Sequence, residues 1–447
     1  MTGLDENSIK TVQAAKEKGF EKSIKDYADS MAEIWKNVWS ILNISNDDFI
    51  RTTEERHEAV VLEFFKKVFD KGDIYKGNYK GLYCDGCEQF YTEKDLENGL
   101  CPFHKKPPKV IEEENYFFRL SKYQKILINH IENNPNFIQP ESRRNEVLSF
   151  IKKGLQDVSI SRPNLEWGID LPMDSRHKFW VWFDALINYI SADPSKWPAD
   201  VQLMAKDILR FHCVIWPAML MSAGYELPKT IFVHGFFTIE GQKISKSLGD
   251  IIDPLKIAEK YGVDALRYFL FREVPFGQDG DFSEKSLIQR INSDLADALG
   301  NLVNRVLVLT EKKFSRSFPK PYGRSRLTDL ALNVKECVKS SMKNFQFHNA
   351  LNDIWHLINE ANKYMNETKP WQVEDEKELG GILCDLLETL RFISILLYPF
   401  MPATAEEIFE QIGLEKEFSF DDLRWGYLEH GIRINRGELL FRKVKAL

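Results

Sequence analysis

Between Cys84 and His104 the chain carries two knuckles, Cys84-Asp-Gly-Cys87 and Cys101-Pro-Phe-His104, and this spacing restricts the fold more than any other feature. Two thiols in one tight turn, and a thiol and an imidazole in the next, supply four ligands of the kinds zinc prefers. Four protein ligands complete a tetrahedral shell and leave no position for water, so one structural Zn2+ is expected. The surrounding stretch, 72–108, is rich in Gly, Cys, Pro and Tyr and reads as a small irregular module of short pieces that needs such a staple. A redox dithiol at Cys84 and Cys87 would leave the second knuckle unexplained, and it lacks the helix start that lowers a thiol's pKa.

Six cysteines in 447 residues are too few for a disulfide scaffold, which points to a reducing, cytoplasmic setting. Cys213, Cys337 and Cys384 lie in apolar helical patterns and read as buried thiols. The length predicts about three domains. A formal net charge of -7 excludes a generally basic surface, so any nucleic-acid site must be a local patch. The first residues lack a basic stretch followed by an apolar core. The longest apolar run, from Phe392 to Met401, is broken by Ser394 and Pro399, which disfavours secretion and membrane spanning.

Residues 8–70 read as amphipathic helices, with Tyr27, Met31, Ile34, Trp35 and Val38 at helical spacing. Helical patterning returns over 121–153. The middle alternates strand-like pieces (178–182 and 230–237) with helix-like ones (185–190 and 207–222), the mark of an α/β domain with a parallel sheet. From about Ser286 the pattern is helical almost throughout, as in Leu295, Leu299, Leu302, Val303 and Val306, and predicts a separate bundle.

After the strand-like 231–235 comes Gly241-Gln-Lys243-Ile-Ser245-Lys246-Ser247-Leu-Gly249. Two lysines on a glycine-flanked loop can set positive charge against a departing pyrophosphate, although a Lys/Ser pentapeptide taken alone is more often a solvated loop. With the knuckles, Val181-Trp-Phe-Asp-Ala-Leu-Ile-Asn-Tyr189 and Lys206-Asp-Ile-Leu-Arg-Phe-His212, this loop resembles, in order along nearly the whole chain, the class I aminoacyl-tRNA synthetases of the methionyl type. Ile244 stands where that family's Lys-Met-Ser-Lys-Ser loop has Met.

The resemblance implies a Rossmann-like catalytic α/β domain with a zinc-stapled insertion and an all-α anticodon-binding bundle. It implies that 1–70 is the N-terminal part of the catalytic domain, 71–155 the insertion, 156–250 the second catalytic half with the lysine loop, 251–285 a stem-contact segment and 286–447 the bundle. It further implies activation of methionine with ATP and Mg2+, then transfer to tRNA(Met). Lys243 and Lys246 would be catalytic. Asp207, Arg162, Lys243, Ser245 and Lys246 would bind ATP. Asp5 would pair with the methionine amine, a charge-assisted contact, while Trp182, Leu186, Tyr189, Ile208 and His212 would line the thioether pocket, sulfur packing well against aromatic edges. From the residues alone, Trp182, Tyr189 and Ile208 are equally well core, and His212 a satisfied core histidine. Asn301, Arg305 and Trp371 would read the anticodon by edge hydrogen bonds and stacking; from the residues alone they could be surface groups and a helix contact. A monomer is expected.

The chain departs from that family at its beginning. The family's first strand and His-x-Gly-His helix start lie upstream of the segment that here is Thr2 to Asp5, and none of the nine histidines has another within three residues. A truncated synthetase, from a mis-assigned start at Met1 and impaired in adenylation, is therefore expected, since losing one transition-state donor costs on the order of 10²-fold. Asn7-Ser8 replaces the family's His-Gly, and Ala205 its Gly before Lys206-Asp207. A rival reading is a non-catalytic tRNA-binding paralogue, against which the lysine loop and pocket residues weigh. A synthetase for leucine, isoleucine or valine is disfavoured because no large editing insertion is visible.

Overall fold

The computed structural model describes all residues except 21, 85, 87–88, 92, 94–95, 103–104, 240–241, 244–251, 318, 320–324, 416–418 and 446–447. Two compact units emerge: Met1–Ser40 with Ile44–His234, and Gly235–Leu447 with Ile41–Asn43.

In the first unit Thr2–Leu4 pairs in parallel with Phe49–Arg51. A second parallel sheet runs Val201–Ala205, Thr230–His234, Ile138–Gln139, its central strand burying Ile231, Phe232 and Val233. Between the first two strands lie helices Ile9–Glu17 and Ile24–Ile41, and Glu55–Asp70 follows. Phe49–Arg51 interrupts the helical reading of 8–70; three residues are too short to show a period. Helix Glu55–Asp70 buries Val61, Phe64, Phe65 and Val68, the three- and four-residue spacing of one helix face. Phe64 lies 6.0 Å from the Trp216 ring and Phe65 5.1 Å from Phe179.

The insertion is more regular than its composition suggests. Ile74–Cys84 and Lys109–Phe118 pair antiparallel from Ile74↔Phe118 to Tyr83↔Lys109, flanked by Gln89–Tyr91 and Val158–Ser159. Gly77, Asn78, Lys80 and Gly81 depress strand propensity, and the long cross-strand ladder overrides it.

The segment 207–222, which periodicity reads as one helix, is built of three pieces: a 3₁₀ turn Lys206–Ile208, a π-turn Phe211–Ile215 and the α-helix Trp216–Ala223. Pro217 has no N–H to bond the carbonyl four residues back and its ring crowds that carbonyl, which opens the turn before it.

In the second unit Phe237–Ile239 lies between Gln242–Lys243, antiparallel, and Gly280–Phe282, parallel. The helices follow as the periodicity predicts, from Pro254–Tyr261 and Val263–Glu273 to Asn301–Phe314, Arg326–Lys343, Phe347–Thr368, Glu376–Leu397 and Pro402–Gln411. Leu295, Leu299, Leu302, Val303 and Val306 are all buried. Glu376–Leu397 is buried on every face from Leu379 onward, its polar residues Asp385, Glu388, Thr389, Arg391 and Ser394 included, so these must find partners inside. Among the described residues no helix is long and apolar enough to cross a membrane. Past Gln411 the described chain holds only the 3₁₀ turn Phe420–Asp422, unlike the helical pattern before it. Buried Arg391 donates to the carbonyls of Asp422 and Arg424 at 2.9 and 2.6 Å, and Glu388 accepts from the Leu428 amide at 2.7 Å. Arg267 gathers four carbonyls of the same unit, Leu42, Asn43, Pro399 and Phe400, at 2.9 to 3.4 Å.

Candidate functional site

Asp5 follows the strand Thr2–Leu4, and Asp207 lies in the turn Lys206–Ile208 just after Val201–Ala205. Both are exposed. Carboxyl ends of parallel strands are where open α/β sheets take their ligands, so both carboxylates stand where a polar substrate group can reach them.

The aromatic candidates meet through His212. Trp182, on the short helix Val181–Ala185, stacks on Phe211 with ring centroids 3.9 Å apart and planes 9° from parallel. His212 presents its ring edgewise to Trp182 at 6.2 Å and to Tyr189 at 5.7 Å. Its Nδ1 lies 3.0 Å from the Ile208 carbonyl and its Nε2 2.9 Å from the Tyr189 hydroxyl. A carbonyl can only accept, so Nδ1 carries the proton and Nε2 accepts from Tyr189. Burial pushes His212 down to about 4 and raises the Tyr189 phenol above its ordinary range, which keeps both neutral. Leu186 is buried in the same core. Trp182, Leu186, Tyr189, Ile208 and His212 thus share one cluster, and the π-turn sets Phe211 on Trp182 and His212 on Tyr189 in consecutive positions. Sequence does not single out Phe211; its place directly before His212 is the only signal.

Asn7 and Ser8 explain their own departure from the expected His-Gly. The Ser8 hydroxyl accepts from the amides of Lys10 and Thr11 at 3.0 and 3.3 Å, capping helix Ile9–Glu17. Asn7 is buried and donates to the Asp184 carboxylate at 2.8 Å and the Thr52 carbonyl at 3.1 Å.

Arg162 is buried, its guanidinium donating to the Ser159 hydroxyl and Ser161 carbonyl at 2.8 and 2.7 Å and lying 5.2 Å from the Tyr83 ring and 5.8 Å from Trp180. Next to Tyr83, Cys84 clusters with Cys101, Tyr91 and Leu96, both thiols buried. At Cys101 the Lys105 amide donates to the Cys101 carbonyl at 2.8 Å and the Cys101 amide to that of Lys106 at 3.0 Å. Cys87 and His104 lie outside the described residues, and among the described residues no group of three or more His, Cys, Asp or Glu could hold a metal. Two buried thiols in one small cluster are the donor chemistry zinc takes.

Lys243 pairs through its backbone with Thr238; Ser245 and Lys246 lie outside the described residues. In the helical unit Asn301 and Arg305 are one turn apart on Asn301–Phe314. Arg305 lies 5.6 Å from the Trp371 ring and donates to Asn366 at 2.8 Å. Asn301 reaches Asp297 at 3.4 Å. Trp371 is 45% exposed, so an indole face beside a guanidinium is open to a stacking base.

A family model described as class I tRNA synthetases (M) matches residues 1–105 and 92–307, and one described as the anticodon-binding domain of tRNA ligase matches 328–430. The chain is 48% identical to the methionine–tRNA ligase of Caldanaerobacter subterraneus subsp. tengcongensis over 99% of its own length and 72% of that protein. It is 44% identical to that of Thermotoga maritima over 100% of its length and 74% of the relative. The crystal structure of Mycobacterium tuberculosis methionyl-tRNA synthetase bound by methionyl-adenylate superposes with a TM-score of 0.93 at 38% identity, covering 98% of this chain and 91% of that one.

Proposed function

Because the chain belongs to the class I methionyl-tRNA synthetases, we propose that it holds methionine between Asp5 and the Trp182–His212 wall while ATP activates it. The activity is that of a methionine–tRNA ligase. A carboxylate oxygen of methionine attacks the α-phosphorus of ATP, the bond to pyrophosphate breaks, and methionyl-adenylate forms. A ribose hydroxyl at the tRNA end then attacks the acyl carbon, and AMP leaves. The protein's contribution is positioning and charge stabilisation.

Asp5 pairs with the methionine ammonium. Trp182, Leu186, Tyr189, Ile208 and the neutral His212 enclose the thioether, a linear, polarisable chain best held by shape. Asp207 accepts from the ATP ribose, and Lys243, Ser245 and Lys246 supply charge and hydrogen bonds to the phosphates of ATP, which enters with Mg2+. Arg162, held between Tyr83 and Trp180, supports the ATP side. Cys84, Cys87, Cys101 and His104 would hold one Zn2+, which fastens the insertion. Asn301, Arg305 and Trp371 read the anticodon of tRNA(Met). The chain works in the cytoplasm as a monomer.

The observation that carries this reading is the Tyr189–His212–Ile208 relay, a neutral donor–acceptor chain beside the stacked Trp182 and Phe211 rings. The test is ATP/pyrophosphate exchange with a panel of amino acids. Exchange with methionine and not with leucine, isoleucine or valine is expected. No exchange with methionine, together with retained tRNA binding, would replace it by a non-catalytic tRNA-binding role.

A further inference from the structure

In the loop after the first strand, Glu6 and Asn7 are fastened by hydrogen bonds to three other segments. Glu6 and Asn7 are only 4% and 7% exposed, whereas Asp5 between them and the strand is exposed. Glu6 is paired with Arg51 at 2.9 Å and with the Thr53 hydroxyl, its amide donates to the Thr52 hydroxyl at 2.9 Å, and its carbonyl accepts from the Trp167 indole at 2.8 Å. These contacts hold the loop to the neighbouring strand end and to the Trp167 segment. Asn7 ties the loop across to the helix Val181–Ala185. One side-chain amide nitrogen bridges the Thr52 carbonyl, 3.1 Å away, and the Asp184 carboxylate, 2.8 Å away and wholly buried. Asp184 lies on helix Val181–Ala185, two residues after Trp182.

We propose that Asn7 is a positioning residue for methionine: its amide locks the loop that presents Asp5 to the helix that presents Trp182. The two ends of the amino acid are held by two separate elements, the ammonium by the loop and the thioether by the helix. Their separation must match one substrate length. A hydrogen bond between elements 177 residues apart in sequence sets that separation, and preorganising it removes the cost of ordering the loop when methionine arrives. An amide suits the task because its nitrogen offers two protons, one for each acceptor. A carboxylate at position 7 would instead face Asp184 with like charge.

This rests on the assignment of Asp5 to the ammonium, and calorimetric titration of the full chain separates the two. The ligands are methionine and its des-amino analogue, which keeps the thioether and carboxylate. Asn7→Ala is expected to weaken methionine binding about tenfold or more and to leave the des-amino analogue within about twofold, because only the ammonium contact depends on where Asp5 stands. Asn7→His, which keeps a donor, is expected to recover most of the loss. In the Asp5→Asn background the Asn7 substitution should add little, the non-additivity of two residues acting as one unit. If Asn7→Ala does not fold, Asn7→Ser carries the same comparison. Equal loss for both ligands, or no loss for either, overturns the positioning role. If Asp5→Asn itself leaves methionine affinity unchanged, the assignment of Asp5 fails and the inference falls with it.

Discussion

Burial holds His212 and His57 neutral, both pushed down to about 4, and each meets a hydroxyl of the short helix Asn188–Ser191, His212 that of Tyr189 at 2.9 Å and His57 that of Ser191 at 2.8 Å. Below a pH of about 6.5 the unfolded chain takes up protons that the native state refuses, so native stability is complete above that pH and falls as the pH drops toward 4. Denaturant titrations between pH 7 and pH 5 should therefore show a loss of order a few kcal/mol, and His57→Gln should remove about half of that slope. Tyr189→Phe takes the donor from His212 Nε2 and should cost about 1–2 kcal/mol in stability while weakening methionine binding, both measurable by titration. In the helical unit, Trp371→Ala removes the stacking face and should weaken binding of tRNA carrying the methionine anticodon by roughly tenfold or more, with non-cognate tRNA nearly unchanged. Trp182, Tyr189, Ile208 and His212 read as core from the residues alone, and the two motifs in which they lie are what grouped them together. Asn7 stood out only as a departure from the family's His, and Asp184 and Phe211 carried no role inside the same motifs, since what they do depends on partners 177 and 29 residues away and a buried Phe reads as core wherever it stands.

At the scale of elements, the capping of helix Ile9–Glu17 by Ser8 predicts that Ser8→Ala costs about 1 kcal/mol and Ser8→Gly only a few tenths, as thermal unfolding would record. The same comparison explains why Ser in place of Gly is no defect here: the hydroxyl satisfies two amides that glycine leaves to water. Long, periodic helices were readable in advance, because a buried face repeated over four or more turns outweighs any single residue. The strands were less so. Phe49–Arg51 is too short to show alternation, and Ile74–Cys84 owes its regularity to a partner strand some thirty residues on. The π-turn at Phe211–Ile215 was marked only by Pro217, whose effect falls on the residues before it.

In the second unit a buried ion pair anchors the chain past the last helix. Glu388 and Arg391 form a pair at 2.9 Å with both side chains 1% exposed, and together they hold the described tail of the second unit. Arg391→Met would strand a buried carboxylate at a cost of about 3–5 kcal/mol. The second unit should melt earlier in that variant, while methionine affinity, which belongs to the first unit, stays put. The Arg267 clamp carries a consequence for synthesis. Two of its four acceptors, Leu42 and Asn43, leave the ribosome 225 and 224 residues ahead of it. At about 5–20 residues per second the early piece waits roughly 11–45 s for its partner. A fragment cloned from Gly235 onward would never receive it, and expression boundaries drawn at the unit border would leave this guanidinium half empty.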